Sequence, residues 1–162
     1  ASMQLETGRF RYLFVLQAFT KIYAVPGIRL GYGISSDKAL LERMETVRQP
    51  WSVSTPAQAA GLSALKEDHR EEQTRQLVKS ERERMEKELE NLRIEYIPSK
   101  ANFLLFNSEI NWFEELKKRG ILIRDCANYR GLGNGWYRMA VRLPEENDRL
   151  LECMKQVLNE RS

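Results

Sequence analysis

The sequence predicts a mixed α/β protein whose C-terminal part is a small α+β lobe, with mixed β-strands and flanking helices. Three features predict it. Two apolar runs, Tyr12 to Phe19 and Ile28 to Ser35, are rich in aromatic and β-branched residues and are separated by a turn at Pro26 and Gly27. The charged stretch "DHREEQTRQLVKSERERMEKELENL" keeps one narrow apolar stripe at helical spacing. From Arg93 onward, short strand-like runs alternate with helical ones in the order ββαββα, which suits helices covering one face of a sheet.

Taken along the chain, Tyr12 to Phe19 reads as a buried strand, and Ile28 to Ser35 as a second one, with Lys21 in the connection. Ser36 to about Arg48 reads as a short helix, and "RQPWSVS" as a loop carrying Pro50 and the aromatic Trp51. In "TPAQAAGLSALKE", Thr55 can cap, Pro56 suits the first helical position, and Gln58 can reach back as in a capping box. The small residues of that helix predict burial. The long charged segment places Val78, Met85, Leu89 and Leu92 in its stripe, with Leu77 at the edge, and reads as a solvated helix with one packed face. Then come "RIEYIPS", "ANFLLFN", a helix from about Ile110 to Arg119 ended by Gly120, "GILIRDC", "WYRMAVR", and a final helix from Glu145 to Asn159 opened by Pro144. "RGLGNG" reads as a flexible turn, because no strand-to-helix transition follows it.

Bulk properties exclude several functions. The chain has 162 residues, 42% hydrophobic and 30% charged, enough for one compact domain or two small lobes. The formal net charge of +3 is spread among interspersed acids and bases, which argues against nucleic acid. Cys126 and Cys153 form no disulfide framework, and with His69 the only histidine no zinc set can be assembled. A reducing cytoplasm is the expected setting, with no membrane role, since no apolar run reaches spanning length.

Within "FTKIYAVPGIRLGYG", Lys21 and Arg29 are the only charges in a long apolar segment, and isolated charges need a partner. A lysine captures a carbonyl when its amine is often neutral, so its pKa of about 10.4 must fall to roughly 7 to 8 through burial or a nearby cation. Arginine stays charged and offers a planar fork suited to phosphate. A phosphorylated aldehyde would satisfy both. The spacing alone is weak; the whole string is more specific.

That string resembles the lysine segment of the fold-type I pyridoxal-phosphate enzymes, specifically the histidinol-phosphate group of aminotransferases. The resemblance implies pyridoxal 5'-phosphate as cofactor, Lys21 as the catalytic imine-forming residue, and Arg29 as the cofactor-phosphate ligand, with Thr20 matching the small hydroxyl residue before the lysine. Ala18 departs from the pattern, standing where the family often has a serine phosphate ligand; phosphate binding is then weaker or another group compensates.

A second block, "ILIRDCANYRGLGNGWYRMAVR", resembles the C-terminal lobe of threonine-phosphate decarboxylases, and "ANFLL" and "RQPWSVS" fit the same subgroup. The resemblance implies that Arg138 binds a substrate carboxylate, that Arg124 lies near a substrate phosphate, and that Asn102 belongs to the substrate site. By pattern alone, Arg138 and Arg142 share one side of a strand that could simply face water, and Arg142 stays open.

In the family, the cofactor's stacking aromatic, its pyridine-nitrogen Asp, and the Asn and Tyr on its oxygen all precede the lysine, yet only twenty residues do so here. The resemblance therefore implies the C-terminal portion of a longer enzyme. Residues 1–65 would end a large cofactor-binding domain, and residues 66–162 would form a small α+β domain. Little or no turnover is expected of the chain alone. The implied reaction is decarboxylation of L-threonine O-3-phosphate in cobalamin biosynthesis, with histidinol-phosphate transamination as the alternative. The intact enzyme would be a homodimer acting on a small phosphorylated amino acid or amine. A non-catalytic interaction or phosphate-binding module is the remaining reading.

Overall fold

A computed structural model describes residues 3–67 and 69–161. The chain forms two compact units, Ala1–Glu71 and Glu72–Ser162. Among the described residues no helix is long and apolar enough to cross a membrane.

The first unit is built on a two-stranded antiparallel ribbon, β1 (Phe14–Ala18) and β2 (Gly31–Ser35), running in register from Phe14 opposite Ser35 to Ala18 opposite Gly31. Both strands are shorter than the sequence predicts. Chain after Ala18 turns into a single helical turn, α1 (Phe19–Ile22), and Pro26–Ile28 forms a 3-10 turn that delays β2. Nor is β1 buried: side chains alternate across a ribbon, and Leu16 lies on its open face at 78% exposure.

Helix α2 (Lys38–Val47) begins at Asp37, whose carboxylate accepts from the Leu40 amide at 3.0 Å. Helix α3 (Thr55–Ala64) is capped by Ser54, which accepts from the Ala57 amide at 3.3 Å, so Thr55 is its first residue rather than its cap. Gln58 donates to the Val53 carbonyl and does not close a capping box. Expected to be buried, α3 hides only Ala57 and Gly61, while Leu62 and Leu65 are exposed. Gly61 is required by close approach: a Cβ there would lie 2.5 Å from Leu30 Cδ2.

The second unit follows the expected ββαββα order. Helix α4 (Arg70–Asn91) leads into β3 (Glu95–Ile97), β4 (Phe103–Asn107), α5 (Trp112–Lys118), β5 (Arg124–Asp125), β6 (Trp136–Ala140) and α6 (Pro144–Asn159). The sheet is antiparallel throughout, in the order β3-β4-β6-β5. Only two residues of "GILIRDC" pair as strand. Gly120, at φ 73°, ends α5 in the left-handed region that glycine tolerates.

Alternation places Leu104, Phe106, Tyr137 and Met139 on one sheet face. They join Met85 and Leu89 of α4, Trp112 and Leu116 of α5, and Leu150, Leu151, Met154 and Val157 of α6 in one core. Truncating one of these large side chains to alanine costs about 2 to 5 kcal/mol.

The buried stripe of α4 also contains Glu81, an acid within an apolar pattern. Asn147 of α6, 1% exposed, donates through Nδ2 to Glu81 Oε2 at 2.7 Å and to the Arg142 carbonyl at 2.9 Å. Its Oδ1 accepts from the Arg142 amide at 3.0 Å. Arg84 donates to both Glu81 oxygens, at 3.1 and 2.7 Å, and to Asp148 at 2.7 Å. These hydrogen bonds tie α4 to α6 and satisfy groups that would otherwise be costly to bury.

Hydrogen bonds from Arg84, with a smaller part from Asn147, hold the Glu81 carboxyl below its ordinary value of 4.5 against the opposing effect of burial. A lowered folded-state pKa stabilises the fold above the unfolded value, and that contribution disappears as pH falls through the folded value. The urea midpoint of the wild type should therefore drop, as pH falls below the ordinary carboxyl value of 4.5, more steeply than that of Glu81→Gln. At neutral pH, Asn147→Ala should cost about 2 to 3 kcal/mol in urea unfolding, because it removes the partner of both Arg142 backbone groups and one of the hydrogen bonds to the Glu81 carboxylate.

Candidate active site

Lys21 sits on α1, a turn too short to be stable by itself. Tertiary contacts hold it. The Phe19 amide donates to the Leu30 carbonyl at 3.1 Å, and the amides of Tyr23 and Ala24 donate to the carbonyls of Phe19 and Lys21. Buried Phe19 stacks on Tyr23 with ring centroids 5.2 Å apart and meets Tyr32 edge-on at 5.9 Å. The Tyr23 hydroxyl donates to Glu71 Oε1 at 3.2 Å. Burial, and next the Glu71 carboxylate, push the Tyr23 phenol above its ordinary value.

Phe19 and Tyr23, four residues apart, share one face of the turn, and Lys21 lies about 200° round from Phe19. The anchor therefore turns the lysine away from the buried side. The expectation of a sheltered amine is not met by these residues: Lys21 is exposed, and so is Arg29. Ala18, at the N-cap of the turn, makes no side-chain cap bond.

Arg29 does not lie on a strand either. It ends the Pro26–Ile28 turn at φ 57°, with a guanidinium nitrogen donating to the Pro26 carbonyl at 3.3 Å. Ala24 is also left-handed, at φ 53°. Two non-glycine residues in that region within six positions store about 1 kcal/mol or more each. The segment between Lys21 and Arg29 is thus held by its surroundings rather than by local preference.

In the second unit, register decides what the sequence leaves open. Arg124 on β5 is directly opposite Arg138 on β6, and Arg138 is in turn opposite Leu105 on β4. Both guanidinium-bearing residues sit on the face away from the core. Arg138 lies over the Phe103 ring at 5.0 Å, and Arg124 over the Tyr129 ring at 5.7 Å. Arg124 also donates to Asn128 Oδ1 at 3.3 Å. Among the described residues, neither arginine pairs with a carboxylate. Like charges directly opposite repel, and an anion between them would relieve that repulsion. Cys126 lies within range of both charges, which partly offset the burial that raises its thiol pKa.

Asn102 is exposed just before β4, and its carbonyl accepts from the Val141 amide at 2.9 Å. Thr20 is half-buried on α1 beside Lys21. Lys21, Thr20 and Arg29 belong to the first unit; Asn102, Arg124 and Arg138 belong to the second.

The family model for aminotransferase class I and II matches residues 3–153. The chain belongs to the class I and II aminotransferases. A threonine-phosphate decarboxylase of Salmonella typhimurium is 39% identical over 151 residues, covering 91% of this chain and 42% of that protein. A histidinol-phosphate aminotransferase of Archaeoglobus fulgidus is 39% identical over 145 residues, covering 89% of this chain and 44% of that protein. The crystal structure of the histidinol-phosphate aminotransferase from Clostridium acetobutylicum aligns with a TM-score of 0.91 at 32% identity, covering 98% of this chain and 49% of that one. The mixed α/β architecture is that of these aminotransferases, and the chain spans roughly two-fifths to half the length of these relatives.

The donor set suits the phosphorylated aldehyde implied for a class I and II aminotransferase. The Lys21 amine makes no ion pair or hydrogen bond among the described residues, and Arg29 commits one donor to Pro26 and keeps the rest. No described carboxylate competes for either.

Several contributors escaped sequence reasoning. The Phe19 and Tyr23 anchor carries a signal, an aromatic pair at i, i+4 around the lysine, but its Glu71 partner is remote in sequence. Asn128 and Tyr129 stand within a motif noted as similar without being given a role.

Tyr23→Phe removes only the hydroxyl that reaches Glu71. A hydrogen bond of this kind contributes about 1 kcal/mol, so amide exchange at Tyr23 and Ala24 should accelerate roughly fivefold, measured by hydrogen-exchange NMR.

Proposed function

We propose that this chain is part of a pyridoxal-phosphate enzyme acting on a phosphorylated amino acid, with decarboxylation of L-threonine O-3-phosphate as its reaction. The observation that carries the substrate class is the register that sets Arg124 beside Arg138, with no carboxylate among the described residues paired to either. The resemblance to a threonine-phosphate decarboxylase supports the reaction. A second reading, transamination of histidinol phosphate, is supported by the structural similarity to an enzyme of that name.

Pyridoxal phosphate, when bound, supplies a carbonyl that captures amines and a conjugated ring that stores electrons released at the substrate α-carbon. In this reading Lys21 Nζ would hold the carbonyl end of the cofactor and would move a proton to or from the substrate α-carbon. Arg29 holds the cofactor phosphate with its planar fork, and the Thr20 hydroxyl adds a further donor. Arg138 holds the substrate carboxylate and Arg124 the substrate phosphate, with Asn102 beside them; two fixed ends set the orientation of the third bond. Histidinol phosphate has no carboxylate, so under the second reading Arg138 serves its phosphate or the keto-acid partner.

The same reading assigns residues 1–65 to a cofactor-binding domain and residues 66–162 to a small domain, near the observed division at Glu71 and Glu72. It also makes the whole protein a cytoplasmic homodimer.

Incubation with pyridoxal phosphate, borohydride reduction and peptide mass mapping test the assignment. The expected result is one adduct, on Lys21, lost in Lys21→Ala. Arg29→Gln should raise the half-labelling concentration roughly 10- to 100-fold for pyridoxal phosphate and leave that for pyridoxal unchanged. Adducts scattered over surface lysines would overturn the assignment.

A further inference from the structure

We infer that Asn128 and Tyr129 are positioning residues that hold Arg124 for a phosphorylated ligand while leaving its charge uncompensated. This rests on reading the Arg124 and Arg138 pair as the substrate's anion site.

The turn after β5 is constructed for this task. The Cys126 amide donates to the Trp136 carbonyl at 2.9 Å, the Tyr129 amide to the Cys126 carbonyl at 2.9 Å, and the Leu132 amide to the Tyr129 carbonyl at 3.2 Å. These bonds fix the backbone that carries Asn128 and Tyr129. Asp125, the acid nearest in sequence to Arg124, projects to the other side of the strand, and its Oδ1 accepts from the Ala127 amide at 2.8 Å. That carboxylate is thereby engaged away from the guanidinium.

Two neutral groups face Arg124 instead. Asn128 Oδ1 accepts one of its N–H groups at 3.3 Å, a long bond that leaves four donors for a ligand. The Tyr129 ring lies against the guanidinium carbon at 5.7 Å, an attraction that orients the cation without cancelling it. Arg138 is seated in the same manner on Phe103. A carboxylate at position 128 would engage the fork itself and neutralise it. Charge at position 128, rather than shape, is the quantity that matters.

L-Phosphothreonine titrated calorimetrically into the full chain tests this, at low and high salt. Asn128→Asp, nearly isosteric, should weaken binding about tenfold or more at low salt, and the loss should shrink as salt screens the new charge. Asn128→Ala should cost only about two- to fivefold. Tyr129→Leu should weaken binding about three- to tenfold, and Tyr129→Phe, which keeps the ring, should restore it. A merely structural role would make Asn128→Ala at least as harmful as Asn128→Asp, with no salt dependence. If Arg124→Ala weakens binding but Asn128→Asp stays within twofold of wild type, the positioning role is wrong and the anion site stands. If the wild type shows no binding, or Arg124→Ala and Arg138→Ala leave it unchanged, the anion site and the inference fall together.

Discussion

The second unit depends on one constraint, the pairing of β6 with β4 on one side and β5 on the other. A strand presents alternate residues to opposite faces, so the register that sends Tyr137 and Met139 into the core also sends Arg138 outward. The same register brings Arg124 alongside it. A slip of one residue would bury a guanidinium among Leu104, Phe106 and Met154 and expose the tyrosine and methionine. Core burial worth several kcal/mol thus enforces an arrangement of like charges that local energetics oppose. The repulsion is tolerated because aromatic faces and a neutral amide seat the cations.

The first unit solves a different problem. Its candidate nucleophile stands on a single helical turn that local hydrogen bonding cannot sustain. Phe19 and Tyr23 bind that turn from behind, to Tyr32 and Glu71, and the lysine is presented forward. The left-handed backbone at Ala24 and Arg29 belongs to the same arrangement: it bends the chain so that Arg29 leaves the turn before β2 begins. Small residues elsewhere serve closeness, as where Leu30 lies on Gly61.

Much of the secondary structure could be read in advance because it follows from short-range rules. The ββαββα order, the stop at Gly120 and the stripe Val78, Met85, Leu89 and Leu92 all depend on residues a few positions apart. Errors arose where neighbours in space overruled neighbours in sequence. Ser54 caps α3 although Thr55 has the same chemistry, because backbone geometry selects between adjacent hydroxyls. Glu81 is an acid on a charged helix that sequence alone does not set apart, yet Asn147 and Arg84 provide the hydrogen bonds that let it be buried.

Residue chemistry by itself determined which groups were candidates: an amine and a guanidinium isolated in an apolar string, and arginines in strand-like segments near the other end. Covalent order and side-chain type suffice for that, since donors and charges do not depend on the fold. Tertiary structure alone decided that Arg124 and Arg138 are neighbours, that Asp125 is turned elsewhere, and that Lys21 faces outward from an aromatic anchor. Strand register and the packing of distant rings are long-range quantities, set by burying the whole core at once, and no window of the sequence contains them.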